Sequence, residues 1–387
     1  MREVFVVGVG QTLVRRHANE TVRTLGASAI RDAIAGLGDR APTALFVGNM
    51  MAGALCNQRQ LGAILADASG LAGIEATVVE SACASGAAAI RCATMAIASG
   101  MHDVVVACGV ERMTHADKND VTAGLATASD WSKEGSRGET FLSLNAGLTR
   151  LYLERHRLDA DALAPFSLTA HENACSNEHA LLRKPVTRDE YYDARVIEPP
   201  LRLYDISPIC DGAAAIVLAS REAALSLFPN EPRIRIASSS VATDAVALVD
   251  RTDPLALEAA SASAARALSI AGVGPSEIDF FELHDAYSVM AALSLEAAGF
   301  ASPGRGYVLG LEGRIGRGGD VPIATMGGLK ARGHPVGATG VYQLVEATMQ
   351  LRGTAGDNQI RAPRFAMTQS FGGTAATVVT HVIERAA

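Results

Sequence analysis

Short β-rich runs alternate with Ala-rich stretches along most of this 387-residue chain, and that alternation restricts its fold more than any other feature. The β-rich runs are Val4–Val9, Ala44–Val47, Ala76–Glu80, Val104–Gly109, Ala213–Leu218, Ile234–Ser238, Phe280–Leu283, Phe365–Thr368 and Thr377–Val382. Helices are expected at Thr21–Ala35, Ser85–Ser99, Pro254–Ala271, Ala286–Ala298 and Gly340–Leu351. The rhythm predicts an α/β fold with mostly parallel sheets. Aromatic residues make up only 5% of the chain while 37 residues are Gly, which suits helices packed closely on sheets. The length accommodates two core-bearing domains.

Two of the expected helices open on Gly/Ala-rich text that carries a reactive side chain. One segment is Val79-Glu80-Ser81-Ala82-Cys83-Ala84-Ser85-Gly86-Ala87-Ala88-Ala89-Ile90. The other runs from Gly327 to Gly340 and contains Gly333-His334-Pro335-Val336-Gly337. Aligning Cys83 with His334 brings Gly86 onto Gly337, Ala87 onto Ala338 and Ile90 onto Val341, and both helices meet a Gly stop, Gly100 and Gly353. This is the signature of two related halves. A cysteine at a strand-to-helix elbow is expected to be partly exposed, with a lowered thiol pKa. The glycines around His334 permit close backbone approach, and Pro335 suits a first helical position.

Other classes of function find little support. The net charge of -7 and the lack of a long Lys/Arg block argue against nucleic acid or an anionic membrane surface. Gly8-Val9-Gly10 follows a strand, but the third Gly of a dinucleotide fingerprint would fall on Leu13. No P-loop, metal-spaced His/Cys/Asp cluster or GxSxG elbow is present, so no metal is expected. The six cysteines, Cys56, Cys83, Cys92, Cys108, Cys175 and Cys210, form no C-x-x-C pair, which suits a reducing compartment. No apolar run approaches the roughly 20 residues of a membrane span. The N-terminus reads as a strand and turn, not a signal peptide, and a cytoplasmic protein is expected.

Together the Cys83 and Gly-His-Pro-x-Gly segments resemble the thiolase superfamily. Two further stretches extend the resemblance over nearly the whole chain: His284-Asp285-Ala286-Tyr287, and Ser207–Leu218, which looks like the family's return strand. The resemblance implies two similar βαβαβαββ halves in a five-layer αβαβα arrangement. It divides the chain into an N-terminal half (1–119 and 205–228), an inserted loop domain (120–204) covering the coenzyme A site, and a C-terminal half (229–387).

The same resemblance assigns roles. Cys83 is the nucleophile that is acylated, and His334 takes its proton. His284 positions a water, or donates directly, in an oxyanion hole; the plainer reading is a strand-end His bonded to backbone. The amides of Gly372 and Cys83 make a second oxyanion hole. His-Asp matches the sterol-carrier-protein-x and archaeal branch, yet both familiar acid/base thiols are missing. Ser370 stands where most thiolases have Cys, and Ala286 where the branch has it. Ser370 and Tyr287 are the candidate acid/base groups, though Tyr287 also suits a packed aromatic. Ala324-Thr325-Met326 departs from the common Asn-x-Ser near the expected acyl pocket, suggesting a bulky, branched or aromatic acyl group.

The leading reading is an acyl-CoA thiolase with coenzyme A as co-substrate and no permanently bound cofactor. The alternatives are a retro-aldolase acting on a β-hydroxyacyl-CoA, a condensing acyltransferase, or a CoA- or lipid-binding subunit. Branch resemblance also implies a homodimer core and a small zinc-ribbon/OB-fold partner subunit. No sequence feature picks out the residues that contact coenzyme A.

Overall fold

The computed structural model describes residues 2–38 and 40–386. Its strands are β1 (Val4–Gln11), β2 (Ala44–Gly48), β3 (Glu75–Val79), β4 (Val104–Glu111), β5 (Val196–Glu198), β6 (Leu201–Arg202), β7 (Gly212–Ser220), β8 (Arg233–Thr243), β9 (Phe280–Glu282), β10 (Phe365–Gly372) and β11 (Thr377–Ala386). All nine expected strands are present. Together they form one hydrogen-bonded array in the order β3-β2-β4-β7-β1-β8-β11-β10-β9.

That order is two half-sheets meeting where Phe5 pairs with Arg235 and Val6 with Ile234. Outward from this seam both halves repeat one pattern. β1, β7, β4 and β2 on one side correspond to β8, β11, β10 and β9 on the other. The edge strand β3 has its counterpart in a single parallel bridge, Phe281 to Ile323. The expectation of mostly parallel sheets is corrected. β2–β3, β2–β4 and β9–β10 are parallel, whereas β1–β7, β1–β8, β4–β7, β8–β11 and β10–β11 are antiparallel. The last strand of each half, β11 after a short turn and β7 after the long helical stretch that follows β4, re-enters its sheet against the direction of both neighbours.

Strand alternation sorts the core into layers. On β1, Phe5 and Val7 point to an outer core with Leu25 and Ile30 of the Val22–Ile34 helix and Leu65 of the Leu61–Ala68 helix. Val4 and Val6 point to an inner core with Ile90 and Ile97 of the Ser85–Ala98 helix and Val341 and Leu344 of the Thr339–Arg352 helix. A third core lies beyond the second half-sheet, where Phe281 and Met367 meet the Glu258–Ala271 and Ser288–Ala297 helices. The result is five layers, with two helices between the half-sheets. Gly8 and Gly10 let the Val22–Ile34 helix lie against β1. A methyl on either would overlap that helix's carbonyls at Ala33 and Ala29, which gives the glycines a packing role.

Gly100 (φ 84°) and Gly353 (φ 78°) are left-handed stops after the two central helices, as the sequence suggested. Pro335 precedes a short 3₁₀ turn, Val336–Ala338, rather than opening the helix itself. The stretch expected to break the rhythm is helical: Lys118–Ala126, Phe141–His156, Ala164–Ala174 and Arg188–Tyr192, followed by the β5–β6 pair. Polar caps start three of these helices, the exception being Ala164–Ala174, and Asp117 accepts the Asn119 amide at the first. Thr140 accepts the Ser143 amide and Thr187 the Glu190 amide. Among the described residues no helix is long and apolar enough to cross a membrane.

Candidate active site

Cys83 lies in a 3₁₀ turn, Ala82–Ala84, between β3 and the Ser85–Ala98 helix. The elbow is sharp, and Ala82 takes a left-handed φ of 50° that L residues rarely adopt. Local hydrogen bonds hold it there. The Ala82 amide donates to Glu80 Oε1 (2.6 Å), the Ser81 amide to Ser85 Oγ (2.9 Å), and that hydroxyl to the Ala82 carbonyl (2.6 Å). His334 enters the matching position on the other central helix. A π-helical turn, Gly328–Arg332, precedes it, and the 3₁₀ turn and Thr339–Arg352 helix follow.

Glycines bring the two turns together. A methyl on Gly86 would come 2.6 Å from the Gly337 carbonyl oxygen, and one on Gly340 would come 2.5 Å from the Ala87 nitrogen. Gly372, at the end of β10, approaches from a third side, where a methyl would lie 2.5 Å from the Ser81 carbonyl oxygen. Ser370 shares the Gly372 face of β10 by strand alternation. It is 1% exposed, and its hydroxyl has no hydrogen-bond partner among the described residues.

The rings of His284 and His334 stand edge to face, with centroids 5.1 Å apart, and Phe371 stacks on His284 at 5.1 Å. The Phe371 amide donates to His284 Nδ1 at 3.3 Å. With that nitrogen accepting, the neutral imidazole carries its proton on Nε2, ready to donate. The strand-end His is therefore bonded to backbone through one nitrogen and free to act through the other. His334 Nδ1 bonds the Thr339 hydroxyl at 2.7 Å. Burial holds both imidazoles neutral. It lowers the His284 pKa to about 4, and it lowers that of His334, with help from His284 and Arg332.

The expectation of a partly exposed, acidified thiol is corrected. Cys83 is 8% exposed, and burial, with the charge of Glu111, pushes its pKa up to about 12. It packs with Met51, Met113, Val121 and Val336, and Met50, Leu55 and Leu125 flank that cluster. Burial thus keeps the Cys83 thiol protonated and the His284 and His334 imidazoles neutral. Tyr287 caps the Ser288–Ala297 helix. Burial, and secondarily Cys83, raises its phenol pKa, so it keeps its proton at neutral pH.

Behind this front lies a frame of buried polar groups whose mutual hydrogen bonds the sequence does not state. Glu282 accepts the Thr325 amide (2.9 Å) and hydroxyl (2.5 Å). Gln343 donates to the carbonyls of Glu282, Leu283 and Gln369. Asp285 accepts the Leu329 amide (2.7 Å), and its main-chain carbonyl accepts from Lys330 Nζ (3.1 Å). Thr325, expected near an acyl pocket, is committed to holding the strand that presents His284. The sequence reading missed Glu111. Its signal was a lone carboxylate directly after the apolar run Val104–Val110. Among the described residues no group of three or more His, Cys, Asp or Glu is placed to hold a metal ion.

Comparison with known proteins identifies the family. Residues 4–222 match the family model "Thiolase, N-terminal domain" and residues 240–385 match "Thiolase C-terminal domain-like". The chain is 39% identical to an acetyl-CoA acetyltransferase of Methanothermobacter thermautotrophicus, covering 100% of both chains. It is 29% identical to the benzoylsuccinyl-CoA thiolase subunit BbsB of Thauera aromatica, covering 96% of this chain and 95% of that one. Among solved structures, an Ltp2-ChsH2(DUF35) aldolase superposes with a TM-score of 0.86 at 20% identity, over 99% of this chain and 98% of the other. Human mitochondrial 3-ketoacyl-CoA thiolase superposes with a TM-score of 0.75 at 16% identity, over 100% of this chain and 99% of the other. The chain belongs to the thiolase family of acyltransferases.

Proposed function

We propose that the chain is an acyl-CoA thiolase that cleaves a 3-oxoacyl-CoA through an acyl group carried on Cys83. The observation that supports this best is the meeting of the Cys83 and His334 turns through Gly86 and Gly337, with His284 edge-on to His334. In this reading the Cys83 sulfur attacks the 3-oxo carbonyl while its proton passes to His334. The C2–C3 bond breaks, and the departing enolate is stabilised by the Nε2 proton of His284. It takes up a proton to leave as acetyl-CoA. Coenzyme A then attacks the acyl-enzyme, whose oxyanion sits between the amides of Cys83 and Gly372. Tyr287 and Ser370 are the proposed proton carriers in place of the missing thiol. The acyl group is proposed to be apolar and bulkier than acetyl, because Met51 and Met113 at Cys83 are unbranched and deformable.

Residues 120–204 are proposed to be the loop domain over the coenzyme A site, inserted between 1–119 and 205–228, with 229–387 as the second half. The outermost ends of that division, Met1 and Ala387, lie outside the described residues. A homodimer is proposed through β3, the exposed edge of the sheet. A separately encoded zinc-ribbon/OB-fold subunit is proposed by analogy with the DUF35 component of the Ltp2-ChsH2(DUF35) aldolase.

A second reading, retro-aldol cleavage of a β-hydroxyacyl-CoA, is favoured by the absent acid/base thiols. Intact-protein mass spectrometry with a panel of 3-oxoacyl-CoAs, on wild type and Cys83→Ala, separates the two. Thiolase chemistry gives an adduct on wild type alone, discharged by coenzyme A, and its mass identifies the acyl group. Cleavage of a β-hydroxyacyl-CoA by both proteins, without any adduct, supports the aldolase instead.

A further inference from the structure

Glu111 ends β4 with no exposed surface. Its carboxylate accepts the Met50 amide at 2.5 Å on Oε1 and the Met51 amide at 3.3 Å on each oxygen. The Gly337 backbone and the Asn49 side chain lie close enough to favour its charged form, and a methyl on Gly337 would come 2.5 Å from Oε1. One carboxylate therefore joins two turns that are remote in sequence. The first leads into Met51, which packs on Cys83, and the second follows His334. After burial, Glu111 is the largest influence opposing ionisation of both Cys83 and Cys56. The remaining charges on these thiols are Glu80 for Cys83, and Arg112 and Asp211 for Cys56.

We propose that Glu111 is a positioning residue for the nucleophile: it ties the Gly337 turn to the Met50–Met51 turn around Cys83. When ionised, the same carboxylate also opposes formation of the Cys83 thiolate. A neutral side chain of the same length keeps part of the first role and loses the second. A shorter carboxylate keeps the charge and loses the span. Burial, against four neighbouring groups that favour the charged form, raises the Glu111 pKa to about 8. The carboxyl is therefore mostly protonated below that pH and charged above it, so its hold on the thiol strengthens as pH rises through about 8. This inference rests on Cys83 as the nucleophile, but its main test reads the thiol whatever reaction the protein catalyses.

The test is the iodoacetamide alkylation rate of Cys83, followed by peptide mass spectrometry from pH 6.5 to 9.5, in wild type, Glu111→Gln and Glu111→Asp. In E111Q, Cys83 should alkylate about tenfold faster than wild type at pH 9 and nearly equally at pH 6.5, the effect of removing one nearby like charge. Cys56 should follow the same trend. Cys92, whose thiol is influenced by Arg91 and not by Glu111, serves as the unmoved control. E111D should keep the wild-type alkylation profile while kcat for thiolysis falls about tenfold at little-changed KM. Equal rates in E111Q and wild type across the range would overturn the electrostatic role. Wild-type kcat in E111D would overturn the positioning role. Should E111Q fail to fold, E111D alone decides: unchanged kcat sinks the proposal, and a tenfold loss with an unmoved alkylation profile supports it.

Discussion

Gly86 and Gly337, equivalent positions in the two halves, meet face to face: a β-carbon on Gly86 would sit 2.6 Å from the Gly337 carbonyl oxygen and 3.0 Å from Val341 Cγ2. The first neighbour is backbone and cannot swing aside. Replacing Gly86 with Ala is expected to push the two central helices apart, destabilising the protein by about 1–3 kcal/mol. Because the Cys83 and His334 turns ride on those helices, kcat should fall more than the stability loss implies. Denaturant titration and steady-state kinetics on G86A check this, and wild-type kcat would show that the helix spacing has slack.

The Thr339 hydroxyl anchors the His334 ring through Nδ1 at 2.7 Å. Thr339→Val keeps the shape and removes the hydroxyl. We expect kcat to drop roughly 10- to 100-fold with little change in KM, since an unanchored imidazole loses its orientation toward the thiol. Thr339→Ser should recover most of the rate. Equal kinetics in the valine and serine variants would mean that packing alone orients the ring.

His381 offers a clean pH probe outside the site. It is fully buried on β11, bonded to the Ala87 carbonyl, and burial lowers its pKa to about 4. The unfolded chain binds this proton near pH 6.5, well before the folded one does, so stability is present above about 6.5 and is lost as pH falls toward 4. One such group costs about 2 kcal/mol between pH 7 and 5. His381→Gln removes that component, so the fall in unfolding free energy between those pH values should shrink by about that amount. An unchanged difference in urea titrations would place the proton elsewhere.

β3 is an edge strand with Val78 40% exposed, and Met95 on the neighbouring helix is 50% exposed. An open strand edge beside apolar side chains suits pairing with a second copy of the chain. Sedimentation velocity is expected to give a dimer for wild type and a monomer for Val78→Lys at micromolar concentration. A monomeric wild type would dismiss the β3 interface.

Much of this molecule is legible without coordinates. The nine sheet strands, the central helices with their Gly100 and Gly353 stops, and the segments carrying Cys83, His334 and His284 are encoded by neighbours only a few residues apart. Periodicity, turn glycines and short motifs are local physics, and a linear text displays them. The helices between Lys118 and Tyr192 were harder to read because their signals are polar caps such as Thr140 and Thr187 rather than a long apolar stripe.

The tertiary structure decided the rest. Strand direction was settled by how β7 and β11 return to their half-sheets, which alternation of element types does not state. The tautomer of His284 depends on the Phe371 amide, 87 residues away, and the Cys83 thiol is held neutral by burial among Met51 and Met113, with Glu111 opposing the thiolate where it is ionised. Burial and electrostatic potential are sums over groups distant along the chain. They come into being only when the fold brings those groups together, so a cysteine whose local text promised a low pKa acquired a high one.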